Sequence, residues 1–185
     1  MTNHPPNITP IEDTQRFAFI FAVDELGGFG NRGGLPWPRV EADMKRFREL
    51  TLHNTLCVGK TTAATIPPLK DRTVLTLTHR ITAEDSADPS KRYSWVIPDP
   101  FILSAKAVGG DKRIFFGGGA LALWELNDHP DILLAYVSVI HGGFVADVRF
   151  SLHGWLRLGK WVQTSKVEAE GVTFYEYARG AACPT

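Results

Sequence analysis

Nine consecutive residues, Ile132 to Ile140, read ILLAYVSVI and carry no charge. A run of that kind, rich in branched and aromatic side chains, is expected to form a strand buried on both faces. Residues 16–23, RFAFIFAV, repeat the pattern near the start and stop at Asp24 and the pair Gly27-Gly28. Strands covered on both sides need helices above and below them, which leads to a largely parallel sheet. The intervening sequence supplies the remaining pieces. Further strands are expected at 55–59, 72–78, 93–97 and 113–116, and helices at 40–51, 60–65, 99–108 and 120–126, the second stopped by Pro67-Pro68. Residues 81–92 are polar and turn-rich, and 161–165 with 172–178 form a late antiparallel hairpin. The expected fold class is therefore α/β: a three-layer α/β/α domain on a mostly parallel mixed sheet with a C-terminal antiparallel hairpin. It would span residues 16–180 as a single domain, behind a flexible extension of residues 1–15.

Charge and cysteine content narrow the function. Twenty basic residues balance twenty acidic ones, which argues against general affinity for nucleic acid or anionic membranes. The two cysteines, Cys57 and Cys183, imply no disulfide framework, and Cys57 sits in an apolar run as an expected inert thiol. The six histidines lack metal-ligand spacing, so no metal site is expected. With no apolar leader in residues 1–15 and no stretch of transmembrane length, a cytoplasmic protein is expected, and a monomer.

The stretch FGNRGGLPWPRVEADMKRFREL, Phe29 to Leu50, carries the chemistry. On its helix Asp43, Phe47 and Leu50 stand at i, i+4 and i+7 and share one face. A carboxylate on an apolar stripe is either a helix-start acid in solvent or a buried acid with a raised pKa. The upstream residues favour the second reading. A glycine-rich loop ending in the rigid Pro36-Trp37 suits an enzyme that covers a flat ring and protonates it.

Three strand ends carry groups suited to phosphate. Gly117, Gly118 and Gly119 lie between a strand and a helix, a placement that also fits a simple tight turn. Val58-Gly59-Lys60-Thr61 imitates the end of a phosphate-binding P-loop, but Asn54 stands where that motif needs its first glycine. Thr78, His79 and Arg80 close another strand, and Lys60 with Arg80 could hold a dianionic phosphate or simply be surface charges. Together they fit a dinucleotide laid across the sheet edge.

These segments resemble dihydrofolate reductase. FGNRGGLPWPRVEADMKRF is similar to that family's active-site loop and following helix, LCVGKTT to its (M/V)G(R/K)xT motif, and FFGGGALAL to its glycine-rich cofactor turn. LLAYVSVI followed by GGFVADVRF resembles its sixth strand and the loop beyond, so the matches run in family order from Phe17 to Tyr177. One extra residue between Trp37 and Asp43 is a spacing associated with some phage-type members. The resemblance implies NADPH-dependent reduction of 7,8-dihydrofolate, with catalytic roles for Asp43, Trp37, Leu35 and Ser138. Asp43 would bind the pterin N3 and 2-amino edge, tethered by Ser138; Glu41 competes but lies roughly 160° away round the helix. Ile20 and Phe116 would offer carbonyls to the pterin, Met44, Phe47, Ile66 and Leu69 would line the substrate slot, and Arg72 would pair with the glutamate tail. For NADPH, Ala22 would bond the carboxamide, with Gly33, Gly34, Leu35, Gly59 and Leu121 alongside. Lys60, Thr78, His79 and Arg80 would surround the 2′-phosphate, and Thr61, Thr62, Gly117, Gly118, Gly119 and Ala120 the pyrophosphate. Asp147 resembles the carboxylate that latches the mobile loop; as a bland alternative it is a turn residue. Ala63 and Ala122 depart from the family, where bulkier side chains are common. The rival readings are a same-fold reductase of a ribosylated pyrimidine in riboflavin synthesis, and a non-catalytic pterin- or NADPH-binding assembly protein.

Overall fold

The computed structural model describes residues 17–77, 93–94 and 112–180. The chain enters through β1 (Phe17–Asp24), whose apolar run places it in the middle of an eight-stranded sheet. Next come β2 (Gly28–Gly30), α1 (Glu41–Thr51), β3 (Thr55–Gly59), α2 (Lys60–Thr65), β4 (Thr73–Leu77), β5 (Tyr93–Ser94) and β6 (Ile114–Phe116). The chain then forms α3 (Ala120–Glu125), β7 (Ile132–Ile140), β8 (Val148–Arg149), α4 (Leu152–Leu158), β9 (Trp161–Ala169) and β10 (Val172–Arg179). Strand order across the sheet is β5-β4-β3-β6-β1-β7-β10-β9. The pairs from β5 to β7 are parallel, and β10 pairs antiparallel with both β7 and β9. The expected mixed α/β sheet with its closing hairpin is therefore present.

Alternation along β1 divides the core. Phe17, Phe19 and Phe21 point to one face, where they meet Phe116, Phe150, Trp155 and Trp161. Phe19 and Phe21 each meet the Trp155 ring edge-on at 5.1 Å, a favourable aromatic arrangement. Ala18 and Ile20 point to the other face and pack with Leu56, Val58 and Phe115 beneath Phe47 and Leu50 of α1. A third cluster joins Trp37 to Ile140, Val172 and Phe174. Both faces of the central strands are thus covered, as their unbroken apolar sequence requires.

Three features went beyond the sequence expectations. α4 was not anticipated; its signals were Ser151, whose hydroxyl accepts from the Gly154 N–H, and Gly159 at the other end. β9 runs four residues past 165 because β10 continues to pair with it as far as the turn at Gly171. β2 and β8 make a separate two-stranded ribbon, each too short to show a period. The helix expected at 99–108, residues 95–97 of the fifth strand, the 81–92 excursion and the 1–15 extension lie outside the described residues.

Candidate active site

α1 begins after Val40, and its stripe falls as the i, i+4, i+7 spacing requires. Asp43, Phe47 and Leu50 are half-buried, and Phe47 and Leu50 join the cluster that includes Ala63, Ile66 and Leu69. Met44 stands at the edge of this stripe, 37% exposed. Glu41 turns outward and pairs with Arg39, which holds its carboxyl below the ordinary range. Of the two acids, Asp43 is the one on the half-buried face of α1. Burial pushes the Asp43 carboxyl above its ordinary value; a hydrogen bond with Ser138 and the nearby Arg46 charge act in the opposite direction. Ser138 lies in β7, in register with Ala22 of β1.

The crevice arises where the sheet opens. β6 pairs with β1 only from Phe17 to Phe19, then turns away through Gly117. The Ile20 carbonyl oxygen lies 2.7 Å from where a Cβ on residue 117 would stand, so only glycine fits. Because backbone groups alternate along a strand, Ala22 presents its N–H and C=O on the same edge as Ile20. Two peptide units of β1 therefore face the space that β6 vacates.

The glycine turn closes the other wall. Gly118 and Gly119 have φ of 79° and 82°, and a Cβ on Gly118 would stand 2.8 Å from the Thr62 methyl. Gly59 approaches Gly119 closely and donates to the Gly118 carbonyl at 3.4 Å. The starts of α2 and α3 are thus side by side, with Thr61, Thr62 and Ala120 at one cradle of backbone N–H groups. Lys60 and Leu121 are exposed at its rim. This cradle, which any Cβ at 118 would fill, fits a pyrophosphate. Thr78, His79 and Arg80 lie outside the described residues.

The glycine-rich loop spans the opening. Asn31 and Gly34 exchange backbone hydrogen bonds at 2.9 and 3.0 Å across Arg32 and Gly33, both at positive φ, a tight hairpin tip. Gly33 approaches Thr65 at the end of α2. The Arg32 N–H donates to the Asp147 carboxylate at 2.7 Å, so Asp147 does latch the loop by a backbone bond. Leu35 behind the tip is 57% exposed, whereas Trp37 is buried at 6% against Phe144.

Asp24 was missed as anything but a strand boundary. Its buried carboxylate accepts from the N–H groups of Leu26 at 2.9 Å, Gly28 at 2.6 Å and Phe144 at 2.9 Å. It ties the root of the loop to the segment after β7. Arg72, at the far end of α1, donates to the Thr51 hydroxyl at 3.2 Å and to the Lys70 carbonyl. It lines a cavity of about 290 Å³ with Arg48, Pro68, Lys70 and Asp71. Burial and the Arg48 charge lower its pKa while Asp71 opposes them, as expected where cations crowd. The larger surface cavity, about 500 Å³ between α4 and β9, contains none of these groups.

A family model for dihydrofolate reductase matches residues 16–179. The chain belongs to the dihydrofolate reductase family. Dihydrofolate reductase of Mycoplasma pneumoniae is 30% identical over 131 residues, 69% of this chain and 78% of that protein. Dihydromethanopterin reductase of Methylorubrum extorquens is 32% identical over 114 residues, 58% of this chain and 70% of the relative. Dihydrofolate reductase from Enterococcus faecalis, complexed with NADP(H) and RAB-propyl, superposes with a TM-score of 0.70 at 26% identity. That match covers 90% of this chain and 97% of the other. A family of reductases accounts for the fold, the crevice and the glycine cradle together.

Proposed function

We propose that this dihydrofolate reductase-type oxidoreductase reduces 7,8-dihydrofolate to 5,6,7,8-tetrahydrofolate. The observation that carries the reading is the half-buried Asp43 carboxyl beside Ser138, at the mouth of a crevice that the glycine cradle borders. NADPH is the cofactor, and when bound it supplies a hydride. Gly59, Thr61, Thr62, Gly117, Gly118, Gly119 and Ala120 would hold its pyrophosphate; Lys60 would meet its 2′-phosphate. Gly33, Gly34, Leu35 and Leu121 would cover it, and Ala22 of β1 would take its carboxamide.

Asp43 would accept hydrogen bonds from the pterin N3 and 2-amino edge. Its charge favours a protonated pterin. Phe47 would pack on the ring, with Met44, Ile66 and Leu69 along the slot and carbonyls of Ile20 and Phe116 opposite the acid. C6 of dihydrofolate gains the hydride and N5 the proton, which comes from a water admitted beside Trp37 and Leu35. The latched loop excludes further water, and the protein's share of the catalysis is alignment of two flat rings.

Dihydromethanopterin is the second substrate to consider, because a relative acts under that name. The tail of the substrate separates the two. Arg72, with Arg48 and Lys70 at the same cavity, supports an anionic glutamate tail. The test is loss of NADPH absorbance when dihydrofolate is added to purified protein, repeated with Arg72→Ala. We expect the substitution to weaken dihydrofolate binding about tenfold or more, as for a lost charged hydrogen bond. Binding of a pterin without the glutamate tail should change little. Equal losses for both compounds would remove Arg72 from the tail site, and no turnover of dihydrofolate would overturn the assignment.

A further inference from the structure

Arg46 stands one turn beyond Asp43 on α1 and is not part of the site derived above. Its guanidinium is fixed from two sides by β10. One nitrogen lies 2.7 Å from the Glu176 carboxylate, and the guanidinium carbon stands 4.7 Å from the centre of the Phe174 ring. The Arg46 side chain is only 23% exposed. Phe174 pairs in register with Ser138 on β7, and Arg46 follows Asp43 by three residues on α1, so the clamp on the guanidinium lies beside the acid. A guanidinium held by an ion pair and an aromatic face has little freedom to move away from the acid.

We propose that Arg46, clamped by Glu176 and Phe174, is a positioning residue for the reaction that acts on substrate only through the Asp43 carboxyl. The proposal rests on the assignment of Asp43 as the acid of a pterin reductase. Among the described residues, the charges facing Asp43 are few. α1 contributes Arg46, β10 contributes Glu176 behind it, β7 presents the uncharged Ser138, and the Arg39–Glu41 pair before and at the start of α1 turns to solvent. Burial alone drives the acid towards its neutral form, and Arg46 restrains that tendency. Ser138 opposes burial as well, and the cation adds to it in setting the pH range in which a charged Asp43 meets the pterin. Glu176, ion-paired with the guanidinium, offsets part of its charge, while Phe174 holds it from the other side.

The experiment follows the Asp43 carboxyl carbon by NMR across a pH series in ligand-free protein, with Asp43→Asn identifying the signal. Arg46→Met keeps the apolar stem over Phe174 and removes the cation. Its titration midpoint should move to higher pH by about half a pH unit or more, less than the roughly one to three units of a directly contacting opposite charge because Glu176 shares the cation. Arg46→Lys should recover part of that displacement. The pH profile of turnover should move in the same direction, whereas a purely structural role would lower the rate at every pH and leave its midpoint in place. An unmoved carboxyl midpoint in folded Arg46→Met overturns the proposal. Should that variant fail to fold, Glu176→Gln carries the test: it removes the competing anion, so the midpoint should fall, and an unmoved midpoint again overturns it. If wild-type protein does not reduce dihydrofolate, the functional assignment fails on its own while the carboxyl titration still reads the coupling.

Discussion

Asp43 destabilises the fold that holds it. Burial raises its pKa, so the folded protein keeps the proton over a range where the unfolded chain has released it. Stability therefore falls as pH rises through that range, and the penalty is fully present above it. Asp43→Asn removes the penalty, and the variant should melt about 1–3 °C higher than wild type at neutral pH. Calorimetry should show the gap narrowing as pH falls through the raised value and gone below the ordinary carboxyl value of 3.8. The same change should lower turnover by about two to four orders of magnitude, the range for a lost acid or base group. Wild-type activity in the variant would remove Asp43 from the mechanism. At this scale the site was partly legible. Asp43 announced itself as an acid on an apolar stripe, whereas Ser138 was reached only through the family resemblance of its strand. Arg46 and Glu176 did not, because the pair joins residues 130 positions apart and only the register of β10 brings them together. Asp24 was hidden for a similar reason: its third partner is the Phe144 N–H, 120 residues away.

The glycine-rich loop is held less by its own sequence than by the segment after β7. β2 pairs with β8, the Phe150 N–H donates to the Gly27 carbonyl at 2.8 Å, and Asp147 caps the hairpin tip. The tip carries one strained residue. Arg32 has φ of 50°, in the left-handed region that disfavours a Cβ. Arg32→Gly should stabilise the protein by about 0.5 kcal/mol, the gain left after glycine's extra unfolded-state freedom is subtracted. Urea denaturation measures it, and a loss of stability would show that the Arg32 side chain, not its backbone, matters. The Asp147 bond should survive, since it is made to a main-chain N–H. Long elements were legible from their runs, and α2 and β7 fall at their expected ends. Short ones such as β2 and β8 were not, because two or three residues carry no periodicity and exist only through their partner. α4 had readable caps, but its apolar residues Leu152, Trp155, Leu156 and Leu158 are interrupted by Gly154, which weakens a helical pattern.

Across the whole molecule the acid and the phosphate cradle belong to different parts of the sheet. Asp43 leans on β7, while Lys60 starts α2 at the end of β3, on the far side of β6 and β1. Substitutions at the two places should therefore be separable. Lys60→Ala should weaken NADPH binding by several-fold and NADH binding hardly at all, the difference shrinking in salt as expected for an exposed charge. Equal effects on both dinucleotides would remove Lys60 from the phosphate site. Among the described residues, no helix is long and apolar enough to cross a membrane.

Among the described residues no strand pairs with β1 past Phe19 on the β6 side, which has a consequence of its own. Under the proposed function, a guest carrying a planar amide would dock there as a missing rung of the ladder, gripped by peptide groups that every amino acid except proline supplies. Side chains at positions 20 and 22 can then drift with little effect on that grip. Mutations that escape an inhibitor copying the amide must arise elsewhere, in the walls of the slot.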